Sequence, residues 1–390
     1  MPTGRDNDFP SFSDDNASIL VNQMAQYALN LTVDSLGNHS ITRHGKGCTR
    51  ETLHVRRDWN VFTKPEKRNF IKAVLCLQKL PAKTPSHLAA GAKSRFDDFL
   101  ATHINQTWWI HRTGSFFAWH RYFIYQYEQV LRNECGYNGS YPYWNWPADT
   151  DDLEKSQLFD GSDTSLSGNG VFIPNQKNLE VTLPTADYPA IELPPGSGGG
   201  CVTSGPFVNF TVNMGPSFLY QPGGNISRQS NPLDYNPRCL TRSLTTSILK
   251  ENNNYDELAE TLTEHDDIWD FETHVWGTAG DAALGLHGGG HFAMGGDPGR
   301  DSDASAGDPA FYLHHGMIDR VWWIWQNQDL EKRQYAIAGT NTFLDHPASP
   351  NTTLDTVLHV GYASGNEKGA SISMRDVMST TAGPFCYVYA

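Results

Sequence analysis

The fold is decided by one stretch in the last quarter of the chain, DPAFYLHHGMIDRVW, which occupies residues 308–322. Apolar residues in it and just after it recur at helical spacing: Met317, Val321, Ile324 and Trp325. This spacing predicts a helix over about 314–328. Two adjacent histidines, His314 and His315, open that helix. The stretch therefore predicts a helix that presents imidazoles near its start.

Asp319 follows His315 by four residues, so the two side chains leave the same face of the predicted helix. A carboxylate in that position can accept a hydrogen bond from a ring N–H and orient the imidazole toward a metal ion. The alternatives are a helix cap at the surface and an ion pair with Arg320. We predict that Asp319 supports a metal site.

A second histidine pair lies upstream in HGGGH, residues 287–291. Histidines four residues apart share one helical face, so His287 and His291 can bind the same ion. Each of the three glycines costs about 1 kcal/mol in a helix relative to alanine. A bound metal can offset that cost, and the missing side chains leave room for a flat substrate. The alternative is a glycine-rich turn with incidental histidines.

Three further histidines lie in an aromatic-rich segment with two predicted helices, over about 94–109 and 117–131. His103 lies late in the first helix, His111 in the connection and His120 early in the second. We expect the three imidazoles to converge on one metal ion. Taken singly, each is equally compatible with an ordinary surface or core histidine.

The donor set of these two regions indicates copper. The sequence lacks the HExxH pattern of zinc hydrolases and the pair of ExxH motifs that di-iron bundles use. Six imidazoles without thiolate or carboxylate ligands suit copper, and three per ion leave positions open for O2. A zinc-dependent hydrolase remains an alternative that metal analysis would test.

Composition and charge exclude several classes of protein. The chain has 390 residues, 12% aromatic and 18% charged, which excludes disorder for the bulk of the chain. The net charge of −14 disfavours nucleic acid as a partner. No apolar stretch is long enough for a membrane span, and no signal-peptide h-region follows Met1.

Cysteines and sequons favour an oxidising compartment. The six scattered cysteines allow fifteen pairings, of which proximity favours Cys76 with Cys135 and Cys201 with Cys239. Six buried thiols are the alternative. Eight N-x-S/T sequons are present, at Asn16, Asn30, Asn38, Asn105, Asn138, Asn209, Asn225 and Asn351. Together they predict a secreted, disulfide-bonded glycoprotein whose native signal peptide has been removed.

The order of segments predicts a single domain over 1–390. A histidine-bearing region over about 94–134 is followed by a loop-rich insertion over about 150–255, with short strands near 171–173 and 207–212. The second histidine region spans about 264–330. A further helix is predicted over about 65–80, and another over 255–262. Because both histidine regions must meet at one site, the middle segment is expected to be an insertion and not a linker.

These motifs resemble those of the type-3 copper proteins, the tyrosinase, catechol oxidase and haemocyanin family. The likeness rests on FFAWHRY at residues 116–122, on HxxxH, and on DPxFxxHHxxxDRxW. It covers roughly residues 48–147 and 264–330. The segments at 56–59 and 73–77, with the closing Tyr-Val-Tyr at 387–389, are similar to short secreted fungal polyphenol oxidases.

The resemblance implies a mainly α fold: a central four-helix bundle holding a dicopper centre, with long irregular loops and a few short strands. Matched position by position, it implies copper A at His103, His111 and His120, and copper B at His287, His291 and His315. His314 is then a neighbour and not a ligand. The cofactors implied are two copper ions, with O2 as co-substrate.

The chain departs from the family pattern at two positions. Many members link a cysteine two residues before the second copper-A histidine to an imidazole, but this chain has Trp109 there, so no thioether is expected. Strong monophenol hydroxylases often carry asparagine directly after the first copper-B histidine, where it helps to hold a water. Gly288 has no side chain for that task. No shielding domain follows the tyrosine motif, so we expect an unshielded enzyme.

The sequence thus predicts an oxidase that converts o-diphenols, and o-aminophenols as a second class, to o-quinones while O2 is reduced to water. Monophenol hydroxylation is expected to be weak or absent. Phe292, after His291, is predicted to line the substrate entrance, although a plain core phenylalanine fits equally well. The alternatives are a full tyrosinase and a haemocyanin-like O2 carrier. We expect small phenols as partners and a monomer or weak homo-oligomer.

Overall fold

The structure is a computed structural model that describes residues 16–36, 41–42, 45–182, 189–277, 283–366 and 371–390. The sequon at Asn38 and the segment after Met1 lie outside this range. The helices are α1 (Ala17–Ser35), α2 (Lys64–Leu77), α3 (Arg95–Ile110), α4 (Phe116–Cys135), α5 (Thr246–Asn252), α6 (Tyr255–Thr263), α7 (Ile268–Trp276), α8 (Gly285–Met294), α9 (Phe311–Gln328) and α10 (Leu330–Arg333).

Helices α3, α4, α8 and α9 form the centre of the molecule and carry the histidine motifs. The mainly α fold with a central four-helix bundle is therefore confirmed. The predicted helices over 65–80, 94–109, 117–131, 255–262 and 314–328 correspond to α2, α3, α4, α6 and α9. Helix α1 was not predicted; it packs against α6 and α9.

Local sequence signals explain where the bundle helices begin and end. The Ser94 side chain accepts a hydrogen bond from the backbone N–H of Asp97, whose carboxylate accepts one from the Ser94 backbone N–H in return. This reciprocal capping box starts α3. Gly136, at φ 68°, ends α4 in the left-handed conformation that glycine adopts without strain. The copper-A hairpin is thus fixed at both ends by residues of its own sequence.

The strands are short and lie around the bundle. They are β1 (Ile41–Thr42), β2 (Gly45–Lys46), β3 (His54–Asp58), β4 (Pro142–Tyr143), β5 (Gly170–Phe172), β6 (Leu179–Val181), β7 (Ile191–Leu193), β8 (Gly199–Val202), β9 (Thr211–Val212), β10 (Leu219–Tyr220), β11 (Ile226–Ser227), β12 (Arg238–Cys239), β13 (Val357–His359), β14 (Ser371–Ser373) and β15 (Tyr387–Tyr389). Strands β5 to β12 form two-stranded antiparallel pairs in the predicted insertion.

Strand β15 closes the molecule by pairing in parallel with β3, which pairs in parallel with β4. The disulfide Cys48–Cys386 joins the chain beside these strands across 338 residues. Cys76–Cys135 joins the end of α2 to the end of α4, and Cys201–Cys239 lies within the insertion. Both pairs favoured by proximity are confirmed.

The insertion is tied to the bundle by a buried ion pair. Arg242, fully buried, donates from Nε and Nη2 to the two carboxylate oxygens of Asp308, at 2.9 and 2.7 Å. Asp308 is the first residue of the stretch that decides the fold, and it also accepts the backbone N–H of Ala310 at the start of α9. A bidentate arginine–carboxylate pair fixes both distance and orientation. The insertion is therefore anchored at the start of α9.

Candidate dicopper site

The bundle brings the predicted histidines together in two adjacent groups. One group is formed by His103 on α3, His111 just after it and His120 on α4; the other by His287 and His291 on α8 with His314 and His315 on α9. Within each group one ligand atom per residue lies within 4.8 Å of the others. The groups face each other, since the rings of His120 and His315 are 4.4 Å apart between centroids.

Backbone carbonyls select the tautomer of four of these imidazoles. His103 Nδ1–H donates to the Asp303 carbonyl at 2.7 Å, and His291 Nδ1–H donates to the Gly299 carbonyl at 3.2 Å. His111 and His120 donate to the carbonyls four residues earlier in their own chain, at 3.2 and 2.9 Å. A proton held on Nδ1 leaves the Nε2 lone pair available to a metal.

Several of these imidazoles have a buried nitrogen without a partner among the described residues. The Nε2 atoms of His103, His120, His287 and His315 are buried and make no hydrogen bond to that part of the chain. A buried polar nitrogen without a partner is unfavourable. A metal ion on each group would satisfy these atoms, so the residues present fit the pair of copper ions.

His314 differs from the other three members of its group. Its Nε2 atom lies 3.1 Å from the carbonyl oxygen of His287 and donates to it. Its ring also packs against Trp146, with the centroids 5.2 Å apart. This hydrogen bond directs Nε2 to the backbone of α8, while Nδ1 of His314 is buried and makes no hydrogen bond to the described residues. The choice of His287, His291 and His315 as the ligands of this group stays a prediction.

Burial keeps the imidazoles neutral. Desolvation lowers the pKa of His103 to about 4 and that of His291 to about 3. Desolvation, reinforced by the neighbouring imidazoles, also lowers the pKa of His111, His120 and His315 well below the ordinary value. Neutral imidazoles carry the free lone pair that copper requires. All are therefore ready to bind metal at neutral pH.

Two phenylalanines cover the histidine groups. Phe311, at the start of α9, lies 4.2 Å from the His315 ring and 5.1 Å from the His103 ring between centroids. Phe116, at the start of α4, lies 4.8 Å from His120 and 5.0 Å from His287. Both side chains are fully buried. They surround the imidazoles with apolar surface and limit the entry of water.

A cleft of ≈ 160 Å³ reaches the histidines from the surface. His111, His287 and His291 line it, together with Gly288 and Phe292. Other lining residues come from the ends of α3 and α7, the insertion and the segment before α9: Trp108, Trp276, Val181, Ile191, Phe218, Tyr220, Arg300 and Asp303. The lining of the cleft is mostly apolar, which suits an aromatic ring.

The three glycines of HGGGH have different roles. A Cβ on Gly290 would lie 2.3 Å from Cε1 of His314, and one on Gly289 would lie 2.2 Å from Oδ1 of Asn253. Those two positions require glycine because α8 packs closely against its neighbours. Gly288 lines the cleft instead, and a Cβ there would first meet Leu284 at 3.3 Å.

The expected hydrogen bond from an imidazole to Asp319 is wrong, as is the alternative pair with Arg320. Its buried carboxylate accepts hydrogen bonds from Arg121 Nε at 2.5 Å and Arg56 Nη1 at 3.3 Å. The hydroxyl groups of Tyr387 and Tyr389 donate to it as well, at 2.7 and 2.5 Å. Two buried guanidinium groups attract the carboxylate more strongly than a neutral ring does. Asp319 thus ties α9 to α4, β3 and β15.

Residues from distant segments complete the site, and the sequence motifs did not predict them. Phe218 and Tyr220 reach the cleft from the insertion, and the Tyr220 ring packs against Phe292 with centroids 5.6 Å apart. The carbonyls of Gly299 and Asp303 orient two imidazoles. No spacing pattern connects these residues to the histidines. Trp109, in the aromatic-rich segment between His103 and His111, is 55% exposed.

Fold and site together define the class: an α-helical bundle that holds two facing groups of neutral imidazoles under an apolar cover, as a dinuclear copper protein does. A sequence profile for the common central domain of tyrosinase matches residues 93–328, over half of the chain. The chain belongs to the tyrosinase family, and is an oxidoreductase with a binuclear copper centre.

Three similar proteins support this membership. Tyrosinase P of Aspergillus terreus is 38% identical over 336 residues, 86% of this chain and 91% of its own length. N-acetyl-6-hydroxytryptophan oxidase ivoB of Emericella nidulans is 38% identical over 357 residues, 88% of this chain and 93% of its own. The structure of a glycine-to-asparagine mutant of a polyphenol oxidase from Thermothelomyces thermophila superposes with a TM-score of 0.83 at 38% identity, covering 95% of this chain and 97% of that one.

Proposed function

We propose that this tyrosinase-family enzyme oxidises o-diphenols, and o-aminophenols as a second class, to o-quinones or quinone imines while O2 is reduced to water. The observation that carries the proposal is that Gly288, the residue after His287, lines the cleft. A glycine there offers no side chain to hold a water that would take the proton of a monophenol. Diphenols do not require the hydroxylation step.

The proposed ligands are those matched by motif: His103, His111 and His120 for copper A, and His287, His291 and His315 for copper B. Their convergence in two groups supports the assignment, as do the buried Nε2 atoms of His103, His120, His287 and His315, which make no hydrogen bond to the described residues. When bound, two coppers supply the redox chemistry by which O2 takes electrons from the substrate.

The remaining residues hold the substrate and exclude water. We propose that a phenol ring enters the cleft between Phe292 and Trp276, both of which line it. Phe116 and Phe311 keep the imidazole region dry, which strengthens electrostatic interactions inside it. The cleft is partly open, which gives substrate and product a path to the solvent.

Full tyrosinase activity is the second candidate, because two relatives favour it by name. One is called a tyrosinase, and another an oxidase of N-acetyl-6-hydroxytryptophan, which carries a single phenolic hydroxyl. An O2 carrier is the third candidate. The open, ring-sized cleft beside the histidines favours an enzyme over a carrier.

The deciding experiment combines metal analysis with O2 uptake on catechol, 2-aminophenol and a simple monophenol. Two coppers per chain are expected, with uptake on the first two substrates and little on the third. Monophenol uptake at a rate comparable to catechol would contradict the role given to Gly288. Reversible oxygenation without turnover would favour a carrier, and zinc with no O2 uptake would favour a hydrolase.

Localisation and assembly are proposed on separate grounds. Three disulfides are typical of proteins from oxidising compartments. The seven sequon asparagines within the described residues are all exposed. None of the described helices is long and apolar enough to cross a bilayer. We propose an extracellular glycoprotein that acts as a monomer or weak homo-oligomer, which glycosidase treatment of native material and light scattering would test.

A further inference from the structure

A third cluster of potential metal ligands lies away from the catalytic cleft. Glu260 on α6, His265 in the following loop and His274 on α7 each offer one ligand atom, and these atoms lie within 4.8 Å of one another. The two imidazole rings are 4.2 Å apart between centroids. None of the three residues lines the cleft, and the tyrosinase motifs assign them no role.

The state of His265 points to a ligand at this cluster. Its Nδ1–H donates to Oδ2 of Asp270 at 2.8 Å, which places the ring proton on Nδ1. Its Nε2 atom is buried and has no hydrogen-bond partner among the residues that the structure describes. A carboxylate on one ring nitrogen and a metal on the other is the arrangement by which proteins orient metal-binding histidines.

The loop that carries His265 is itself held in place. The indole N–H of Trp325 on α9 donates to the carbonyl of His265 at 2.7 Å. Asp266, the next residue, pairs with Arg333 on α10. His265 therefore keeps its position without a metal, while Glu260 is exposed and offers an entry path from solvent.

We propose that Glu260, His265 and His274 bind a third metal ion, a divalent transition-metal ion such as Zn²⁺ or Cu²⁺, with solvent completing its coordination. Two imidazoles and one carboxylate are a common donor set for zinc and also suit copper(II). Asp270 acts as a positioning residue because it fixes the tautomer of His265. The bound ion would join α6, the loop and α7.

The position of this site links it to the catalytic cleft. His274 precedes Trp276 by two residues at the end of α7, and Trp276 lines the cleft. The Trp276 ring also packs against Phe116, with centroids 5.6 Å apart. An ion that braces α7 would therefore stabilise one wall of the cleft without contacting the substrate.

The test is titration of the copper-loaded enzyme with Zn²⁺, followed by calorimetry and by metal analysis after gel filtration. One zinc per chain is expected in addition to two coppers, with a Tm rise of about 2 °C or more at saturation. His265→Gln and His274→Gln should weaken zinc binding at least tenfold. Asp270→Asn should weaken it about 10–100-fold. Copper content and the rate on catechol should stay unchanged.

His87→Gln is the matched control, because His87 is exposed and lies outside all three clusters; this variant should bind zinc as the wild type does. If a histidine variant fails to fold, the exposed Glu260→Gln replaces it in the comparison. Absence of zinc binding at 100-fold excess over protein would overturn the proposal. Binding of equal strength in wild type and in the cluster variants would overturn it as well.

Discussion

Residue 288 is the position at which a single amide group should change the reaction. A Cβ on Gly288 meets only the side chain of Leu284, at 3.3 Å, so an asparagine fits with a small shift. Its amide would point toward the cleft and could hold the water that accepts a phenolic proton. Gly288→Asn should therefore raise monophenol oxidation relative to catechol oxidation by about tenfold or more. The ratio of kcat/KM for the two substrates measures the effect.

Gly288→Ala is the matched control, since it adds the Cβ without the amide. The alanine variant should keep the substrate ratio of the wild type and gain some stability from its helix propensity. An asparagine variant with the same ratio as the alanine variant would show that the amide has no part in substrate choice.

Asp149 should give the protein a measurable dependence of stability on pH. Burial raises the pKa of Asp149 to about 6, despite the hydrogen bonds that its carboxylate accepts from Ser156 and Trp144. The native protein therefore holds a proton that the unfolded chain releases near pH 4. The contribution of this bound proton to the free energy of unfolding is fully present below pH 4. It is lost as the pH rises to about 6, at about 1.4 kcal/mol per pH unit.

Asp149→Asn removes this titration while keeping an oxygen acceptor. Its free energy of unfolding, relative to the wild type, should rise by about 2–3 kcal/mol between pH 4 and pH 6.5 and then level off. Urea unfolding at several pH values measures the difference. The exposed neighbour Asp151→Asn should follow the wild-type profile. If the difference in unfolding free energy between Asp149→Asn and the wild type stays constant with pH, Asp149 has the same pKa in the native and unfolded states and the prediction is wrong.

At the scale of the elements, helix α8 is stabilised by close packing against its neighbours more than by the helix propensity of its own residues. The His314 ring, held between α8 and Trp146, fills the space that a side chain at position 290 would occupy. Gly290→Ala should push α8 away from α9, because the contact of 2.3 Å involves a ring that cannot retreat. We expect a loss of about 1–3 kcal/mol in unfolding free energy and a reduced copper content.

A second alanine substitution on the same helix is the control for Gly290→Ala. Gly288→Ala places the same methyl group on the cleft side, where no backbone or ring opposes it. It should therefore retain two coppers per chain, as measured by metal analysis. Equal copper loss in both alanine variants would indicate that helix flexibility, and not packing against His314, explains the glycines.

Elements with their own local signals were predictable, whereas those fixed by distant partners were not. Helices α3 and α9 follow from apolar periodicity, and a capping serine marks the start of α3. For HGGGH the sequence left helix and turn open, because propensity opposes the helix that packing selects. The prediction for Asp319 failed because its partners are distant in the chain. They are Arg56, 263 residues away, and the closing tyrosines. Local pattern contains no information about such pairs.

At the scale of the whole molecule, the single domain over 1–390 stays a prediction that the packing supports. One continuous cluster of buried side chains includes residues from α1, the bundle, the insertion and the last strand: Met24, Phe99, Phe207, Trp325 and Val388. The Asp319 network and the Cys48–Cys386 disulfide hold the closing strand to the bundle. These links do not depend on metal, so the helices should persist when copper is removed.

Removal of copper by a chelator should therefore lower the Tm without unfolding the protein. Each ion binds the native state alone and stabilises it by about 4 kcal/mol when present at a thousand times its Kd, so a fall of about 10 °C is expected. Far-UV circular dichroism should keep its helical signal, because the buried core and the three disulfides remain. Copper added back should restore the Tm. Loss of the helical signal on chelation would show instead that the partnerless imidazoles cannot stay buried without their metal.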